Sequence, residues 1–303
     1  MSKYQYDNKH LPFGHSAAIN DEYVIQSMIA DLSNLNNKEI NREFCTEYLE
    51  WIKGHSNTHL GLDEFNYAVY SQGTSESFDK FYMKNLNRRF RIFKAEYLYH
   101  QLAWRNSKLE WAFIEDDKLH KNDAVIISYP FADTGNKHKQ MDFILHNCSA
   151  LGIPVLIDCA YYTISSDLIF DFRHDCITDI TFSLSKTFPV AHARIGMRLT
   201  KEDNDDTLFV YEKANYQNRL GATLGLSLIN LHSPNYIVEK YKNKQEAFCK
   251  ISNTTPSSTV LFGLGNDEWN TYNRGGLKNR LSFHNFLNKE EEIFKGIVNG
   301  SSE

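Results

Sequence analysis

The sequence lacks several features that would assign it to a familiar structural class. Its five cysteines are scattered and include no Cys-x-x-Cys pair, so neither a zinc knuckle nor a disulfide framework is indicated. No apolar run is long enough to cross a bilayer, and the polar N-terminal residues lack the apolar core of a secretory signal. The twelve histidines include no metal-ligand pair of the His-Glu-x-x-His type. We therefore expect a cytoplasmic protein with reduced thiols, no metal and no membrane partner.

Charge of one sign is also not concentrated anywhere in the chain. The formal net charge is −5 and no basic stripe is visible, so we expect no nucleic-acid partner. The chain has 303 residues, of which 42% are hydrophobic and 14% aromatic. These values predict a folded protein with a large core, arranged as two lobes.

The first seventy residues read mainly as helix. Apolar residues recur at roughly helical spacing in NDEYVIQSMIADL (residues 20–32) and again in NKEINREFCTEYLEWI (residues 37–52). Glycines and polar residues in KGHSNTHLGLD then end the helical pattern.

From about residue 66 the pattern changes to alternating strands and helices. DAVIISYP (residues 123–130) is typical of a parallel strand buried on both faces, and residues 125–158 form one strand–helix–strand unit. The predicted fold class is α/β, with a mainly parallel sheet in a large domain and a small α+β lobe from both chain ends. We expect the large domain at residues 55–230. Residues 1–54 and 231–303 then form the small domain and an N-terminal helical segment.

Residues that carry chemistry follow three of these predicted strands. One strand ends at Asp158, and another ends in Ser183-Leu-Ser-Lys186. Because ligands gather at the carboxyl ends of strands in such sheets, we expect these residues to share a site. An earlier strand runs into Gly73-Thr74-Ser75 at the start of a helix, where exposed amides and the helix dipole favour an anion. Arg194 could bind the same anion through charge-assisted hydrogen bonds.

An anion site, a buried acid and a buried lysine together fit pyridoxal 5′-phosphate (PLP). A lysine can form a Schiff base with the aldehyde of PLP, and an acid can keep its pyridine nitrogen protonated. The order along the chain predicts these roles for Lys186 and Asp158. Tyr161, three residues after Asp158, is placed to hydrogen-bond the ring hydroxyl. A solvent-exposed lysine and a strand-end aspartate that caps a helix are the alternatives.

Residues 67–200 resemble the large domain of the aspartate aminotransferase superfamily, the fold type I PLP enzymes. The matching motifs are Ser71-Gln-Gly-Thr-Ser, Asp158-Cys-Ala-Tyr, Ser183-Leu-Ser-Lys and Arg194-Ile-Gly. The resemblance implies that PLP is bound by Gly73, Thr74, Ser75, Asp158, Tyr161, Ser183, Ser185, Lys186 and Arg194.

Two further roles come from the same resemblance. An aromatic residue that stacks on the PLP ring falls near Tyr97, with Tyr99 and Trp104 as alternatives. The arginine of NRLSF, Arg280, would bind the substrate carboxylate, although late-strand arginines also form surface ion pairs. Tyr48 is a candidate for the tyrosine that reaches into a partner subunit's active site.

The sequence also departs from the family pattern. The family's Asn-Pro-x-Gly turn reads Ala132-Asp-Thr-Gly135 here, so Tyr161 loses its usual asparagine companion. The chain is also a shortened member.

The resemblance implies an aminotransferase that moves an amino group between an amino acid and a 2-oxo acid. Lys186, Asp158 and Tyr161 would be its catalytic residues, and a homodimer is expected because family active sites lie between subunits. A lyase, decarboxylase or cyclising enzyme that uses the same site is the alternative. A PLP-binding protein without catalytic activity is a third possibility.

Overall fold

A computed structural model of the chain describes residues 10–203 and 206–300. Residues 1–9, part of the segment in which we expect no secretory signal, lie outside these ranges. The α-helices are α1 (Glu22–Gln26), α2 (Ile40–Lys53), α3 (Gly73–Lys84), α4 (Leu98–Asn106), α5 (Met141–Leu151), α6 (Thr207–Ala214), α7 (Arg219–Leu231), α8 (Tyr236–Ile251) and α9 (Glu291–Gly300). Within the described ranges no helix is both long enough and apolar enough to span a membrane.

The strands are short and lie between these helices along the chain. They are β1 (Thr58–Leu60), β2 (Tyr67–Ser71), β3 (Arg89–Ile92), β4 (Trp111–Phe113), β5 (Asp123–Ser128), β6 (Val155–Asp158), β7 (Ile169–Asp171), β8 (Ile177–Ser183), β9 (Gly196–Thr200), β10 (Thr255–Pro256), β11 (Phe262–Gly265) and β12 (Asn279–Ser282). Short 3₁₀ turns cover Leu32–Asn36, Leu62–Glu64, Tyr162–Ile164 and Asp267–Tyr272.

A seven-stranded sheet in the order β2-β9-β8-β6-β5-β3-β4 forms the centre of the large domain. All neighbouring pairs from β8 to β4 are parallel, whereas β9 is antiparallel to both β8 and β2. The prediction of a mainly parallel sheet is therefore confirmed. This direction of the strands brings the carboxyl ends of β5, β6 and β8 to the same edge of the sheet.

Helices cover both faces of this sheet. On one face, Phe78 of α3 and Trp104 of α4 belong to a cluster with Ile126 of β5. On the other face, Leu145 of α5 packs in the main cluster with Ile127 of β5. Every residue of β5 and β6 is consequently buried, which explains why these strands read as continuous apolar runs.

The small lobe contains a three-stranded antiparallel sheet, β10-β11-β12, with α8 packed against the sheet and α9 packed against α8. Its core includes Phe13 from the N-terminal segment together with Phe283 and Phe294 from the C-terminal part of the chain. The lobe is therefore built from both chain ends, as the sequence predicts.

Two N-terminal predictions are wrong. The helix expected over residues 20–32 shrinks to the five residues of α1, because Ile29 and Leu32 have no core to pack against and are more than 60% exposed. Tyr48 is completely buried and stacks on Phe44 with ring centroids 5.2 Å apart, so it cannot reach a partner subunit.

The domain boundaries themselves stay a prediction, but the position of α2 differs from the expected division. We assigned residues 1–54 to the part of the chain outside the large domain. In the structure Phe44, Tyr48 and Ile52 of α2 lie in the main core cluster, and α2 packs against α7 and β2 of the large domain. The apolar face of α2 has its complementary surface there, which its sequence pattern alone does not reveal.

Candidate active site

The site lies at the edge of the large sheet where three strands end. Ser128 at the end of β5 pairs with Asp158 at the end of β6, and Asp158 pairs with Thr181 near the end of β8. A cavity of about 250 Å³ opens beside them. Nine of the eleven predicted site residues line this cavity: Thr74, Ser75, Tyr97, Asp158, Tyr161, Ser185, Lys186, Arg194 and Arg280. The structure therefore brings most of the predicted residues together at one cavity, while the site and the roles of its residues stay predictions.

The other two predicted residues support the cavity without lining it. The Ser183 hydroxyl lies 2.8 Å from the Ser185 hydroxyl and donates to the carbonyl oxygen of Ile195 at 3.1 Å. Ser183 thus anchors the segment that presents Ser185 and Lys186. Gly73 lies beneath the Arg194 side chain at the start of α3.

The start of α3 forms the end of the cavity that is suited to bind an anion. Gly73 has a φ of +71°, and a Cβ there would lie 2.6 Å from Nη2 of Arg194, so only glycine fits this turn. Nη2 of Arg194 donates to the Ser75 hydroxyl at 2.8 Å. The guanidinium, the hydroxyls of Thr74 and Ser75 and the helix N-terminus converge here, and this arrangement suits a phosphate group.

A second glycine makes this arrangement possible. Gly196 begins β9, and a Cβ there would lie 2.8 Å from both the Cα of Gly73 and the carbonyl oxygen of Phe182. The backbones of the two glycines therefore approach closely, and Arg194, two residues before Gly196, is brought over the helix N-terminus.

Lys186 lies on the wall of the same cavity. Its Nζ donates to the carbonyl oxygen of Ser16 at 2.7 Å and lies 5.8 Å from the centre of the Tyr161 ring. The N-terminal segment thus covers the ε-amino group from the small-lobe side. The amine is within the cavity and close enough to Asp158 for the two charges to interact.

Asp158 is 5% exposed and accepts one hydrogen bond, from the backbone N–H of Ala160 at 3.1 Å. Burial, together with the nearby Glu96 carboxylate, raises the pKa of Asp158 to about 8, although Lys186 and the Ala160 N–H oppose the shift. Asp158 is therefore a buried acid that can carry a proton at neutral pH.

Tyr161 lies near two cations of the cavity, Lys186 and Arg280. Its hydroxyl donates to the Ser16 hydroxyl at 3.3 Å, and its ring packs edge-on against Phe262. Burial opposes ionisation, but the charges of Lys186 and Arg280 outweigh it and lower the pKa of Tyr161.

Tyr97 lies at the mouth of the cavity and is 42% exposed. The alternatives are placed less well: Trp104 is buried in the core and does not line the cavity, and the Tyr99 hydroxyl donates to Asp79 at 2.9 Å. Of the three aromatic candidates, Tyr97 is thus the one that can contact a ring in the cavity.

Arg280 reaches the cavity from β12 of the small lobe. Its Nη1 donates to the carbonyl oxygen of Ala132 at 2.6 Å, and its guanidinium carbon lies 4.4 Å from the centre of the Phe262 ring. Arg274 donates to the same Ala132 carbonyl at 3.1 Å. Two guanidinium groups therefore meet at the turn where the sequence departs from the family pattern.

Sequence reasoning missed several residues of this site. Ser128 could have been found, since it ends an apolar strand next to the one that ends at Asp158. Glu96, an acid four residues after the end of β3, carries a weaker signal of the same kind. Ser16 and Arg274 carry none, because long-range folding alone brings them to the cavity.

Comparisons with known proteins show the fold. No family model matches the chain, and no curated protein matches it. Among solved structures, the chain is similar to histidinol-phosphate aminotransferase from Clostridium acetobutylicum, with 17% identity over 94% of this chain and 98% of that one and a TM-score of 0.61. It is also similar to tyrosine aminotransferase from Leishmania infantum, with 10% identity over 93% and 90% of the two chains and a TM-score of 0.66.

A third similar structure is the PLP-bound C-S lyase from Staphylococcus hominis, with 11% identity over 96% of this chain and 90% of that one and a TM-score of 0.63. These alignments cover nearly the whole chain, including the small lobe. The chain has the fold of the fold type I PLP-dependent aminotransferases, which confirms the fold predicted from the motifs.

The charges around Tyr161 lead to a prediction about its ionisation. Replacing Lys186 by Met removes a cation that favours the phenolate, so the pKa of Tyr161 should rise. Ultraviolet titration of tyrosinate, with the curve of a Tyr161→Phe variant subtracted in each background, measures this pKa. Lys250→Met, which alters an exposed lysine at the end of α8, should leave the curve unchanged. An unchanged pKa in Lys186→Met would show that the ammonium does not act on Tyr161.

Proposed function

We propose that this chain, which has the fold of the type I PLP enzymes, is a PLP-dependent aminotransferase. It would transfer an amino group between an amino acid and a 2-oxo acid. One observation carries the proposal: Lys186, the buried acid Asp158 and the anion site at the start of α3 line a single cavity. The resemblances to two named aminotransferases support the same reaction class.

The cavity fits PLP at three separate points. The Ser75 hydroxyl and the Arg194 guanidinium, 2.8 Å apart over the α3 N-terminus, provide donors and positive charge for the phosphate. Asp158 provides a carboxyl for the pyridine nitrogen at the carboxyl end of β6. Lys186 provides an amine for the aldehyde. When bound, PLP supplies an electron sink that stabilises negative charge on the substrate carbon next to the amine.

Lys186 would serve first as the covalent anchor and then as the base. Once a substrate amine displaces Lys186 from the aldehyde carbon, its Nζ would be free to remove the proton from the substrate carbon. The same Nζ would then return the proton to the cofactor carbon. The Ser16 carbonyl, 2.7 Å from Nζ, is suited to orient the amine toward the cavity. Tyr161 lies beside that amine, and its lowered pKa suits a hydroxyl that stabilises a neighbouring cation.

Asp158 would keep the pyridine nitrogen protonated. Burial strengthens the attraction between the carboxylate and a protonated ring, because water does not screen it. The β5–β6–β8 register fixes the depth of the Asp158 carboxyl, so its position relative to Lys186 is set by the sheet.

Arg280 would bind the carboxylate shared by amino-acid and 2-oxo-acid substrates. Its guanidinium is oriented by the Phe262 ring and the Ala132 carbonyl, which reduces the entropy lost when a carboxylate binds. With Ala132 in place of the family asparagine, no side-chain amide at this turn can take part. Arg274, which donates to the same carbonyl, adds positive charge on that side of the cavity.

A PLP-dependent lyase is the second candidate. The same cavity would serve it, since the bond that breaks depends on how the substrate is oriented relative to the ring. The loss of the family asparagine at Ala132 supports this candidate, because it changes a group near the ring. One similar structure is a PLP-bound C-S lyase.

PLP attachment gives the first test. Incubation of the protein with PLP followed by borohydride reduction should fix one PLP per chain on the peptide that contains Lys186, as determined by mass spectrometry. Lys250→Met should be labelled like the unmodified protein, and Lys186→Met should not be labelled. Labelling that maps to another lysine, or none at all, would contradict the proposal.

The fate of the cofactor separates the two candidate reactions. With an amino donor and no acceptor, an aminotransferase should convert its PLP to pyridoxamine 5′-phosphate and release an equal amount of 2-oxo acid. Chromatography of the cofactor after denaturation measures this conversion across a panel of amino acids. Turnover of an amino acid with PLP fully retained would instead identify a lyase.

We also propose that the protein is a homodimer. Exposed apolar side chains on the N-terminal segment and α7 support this, among them Ile29, Leu32 and Leu220. The two elements are neighbours, since Arg219 of α7 donates to the carbonyl oxygen of Leu35 at 2.7 Å. Sedimentation equilibrium should give twice the chain mass, and Leu32→Glu should shift the equilibrium toward monomer. A monomer at micromolar concentration would contradict the proposal.

A cytoplasmic location is proposed on the basis of the thiols. All five cysteines are buried and none forms a disulfide, which suits a reducing compartment.

A further inference from the structure

Glu96 is a buried carboxylate for which the proposed reaction has no role. It lies between β3 and α4, directly before Tyr97, and is 2% exposed. One of its oxygens accepts from the Ser128 hydroxyl at 2.6 Å and from the backbone N–H of Tyr97 at 2.9 Å. The other oxygen accepts from the backbone N–H of Ser128 at 3.0 Å. Glu96 is thus fixed against the residue that pairs with Asp158 in the sheet.

The two acids differ in the number of donors that reach them. Within the part of the chain that the structure describes, Glu96 accepts three hydrogen bonds and Asp158 accepts one. Hydrogen bonds from N–H and O–H groups stabilise the ionised form of a carboxyl, and two neighbouring buried carboxyls do not both ionise readily. The negative charge therefore belongs on Glu96 and the proton on Asp158.

The other titratable groups near the pair do not change this assignment. Lys186 is the cation that acts on Asp158, and it lowers the pKa of that acid without preventing the net rise. The charge of Asp158 also acts on Cys159 and Tyr82. Burial keeps the pKa of both groups well above its usual range, so both are neutral. On the Glu96 side, burial raises the pKa, while the Ser128 and Tyr97 donors and the charge of Arg274 oppose that rise.

We propose that Glu96 is a positioning residue that keeps a proton on Asp158 in the cofactor-free protein. This inference rests on the proposed function, because it concerns the acid that would meet the pyridine nitrogen. With PLP bound, Asp158 would share one proton with the pyridine nitrogen, and Glu96 would remain a carboxylate before and after binding. Oδ of Asp158 would give its proton to a ring nitrogen that arrives unprotonated, and would release it to solvent when the nitrogen arrives already protonated.

Proton exchange on PLP binding tests the proposal without measuring activity. Replacing Glu96 by Gln removes the neighbouring negative charge, so the pKa of Asp158 should fall. Between that lower pKa and about 8, Asp158 holds its proton in the unmodified protein but not in Glu96→Gln. By linkage, Glu96→Gln should take up as much as one more proton per PLP bound than the unmodified protein does. For each unit that the pH rises in this range, its affinity for PLP should therefore fall by up to about tenfold more than the affinity of the unmodified protein. Calorimetry in buffers of different ionisation enthalpy measures both quantities.

Two control variants separate charge from structure. Glu115→Gln alters an exposed carboxylate that accepts from the Lys94 N–H at 3.1 Å and should match the unmodified protein. Ser128→Ala keeps the Glu96 charge but removes one of the three donors to that carboxylate, so its proton count should lie between those of the unmodified protein and Glu96→Gln. Identical proton counts in Glu96→Gln and the unmodified protein would overturn the proposal. So would a Ser128→Ala variant that takes up more protons per PLP than Glu96→Gln does.

Infrared difference spectra provide a measurement that does not depend on the stability of Glu96→Gln. The cofactor-free protein minus its Asp158→Asn variant should show the carbonyl band of a protonated carboxyl at pH 7. A carboxylate band in its place would overturn the proposal. PLP attachment at Lys186 is scored separately by borohydride reduction, so failure of this inference leaves the proposed function testable by itself.

Discussion

The site depends on one constraint above all: charged groups are buried together at the carboxyl edge of a parallel sheet. Asp158, Glu96 and Arg280 are each 5% exposed or less. Removing such groups from water is costly, and the cost is recovered only when their partners are in place. The hydrogen bonds from Ser128, Tyr97 and Ala160 N–H groups and the nearby cations supply part of that compensation. A cofactor that is both anionic and cationic, with a phosphate at one end and a protonated ring nitrogen, would supply the rest.

The architecture explains how distant parts of the chain meet at this edge. The parallel register brings the ends of β5, β6 and β8 together, and the close approach of Gly73 and Gly196 places Arg194 over the start of α3. The small lobe then closes the cavity with Arg280 from β12, while the N-terminal segment contributes the Ser16 carbonyl to Lys186. Each lobe alone therefore presents only part of the site.

Most of the residues predicted from the sequence are ones whose position is set locally, whereas Arg280 was predicted from the family resemblance. Asp158 follows an apolar strand directly, and Thr74 and Ser75 begin a helix directly after one, so strand ends alone place them at the same edge. Ser16 and Arg274 escaped prediction because only the folded chain brings them to the cavity. The length of α1 and the position of Tyr48 were predicted wrongly for a related reason. Helical periodicity indicates an apolar face but not the surface on which that face packs, and Tyr48 packs against the large domain.

The most direct measurement of the central claim is a crystal structure of the protein with PLP bound. The account predicts continuous density between the aldehyde carbon and Nζ of Lys186, with the pyridine nitrogen within hydrogen-bond distance of Asp158. The phosphate should lie on Ser75, Arg194 and the start of α3, and the ring should contact Tyr97. PLP bound elsewhere, or in this cavity with its phosphate away from the α3 N-terminus, would contradict the account.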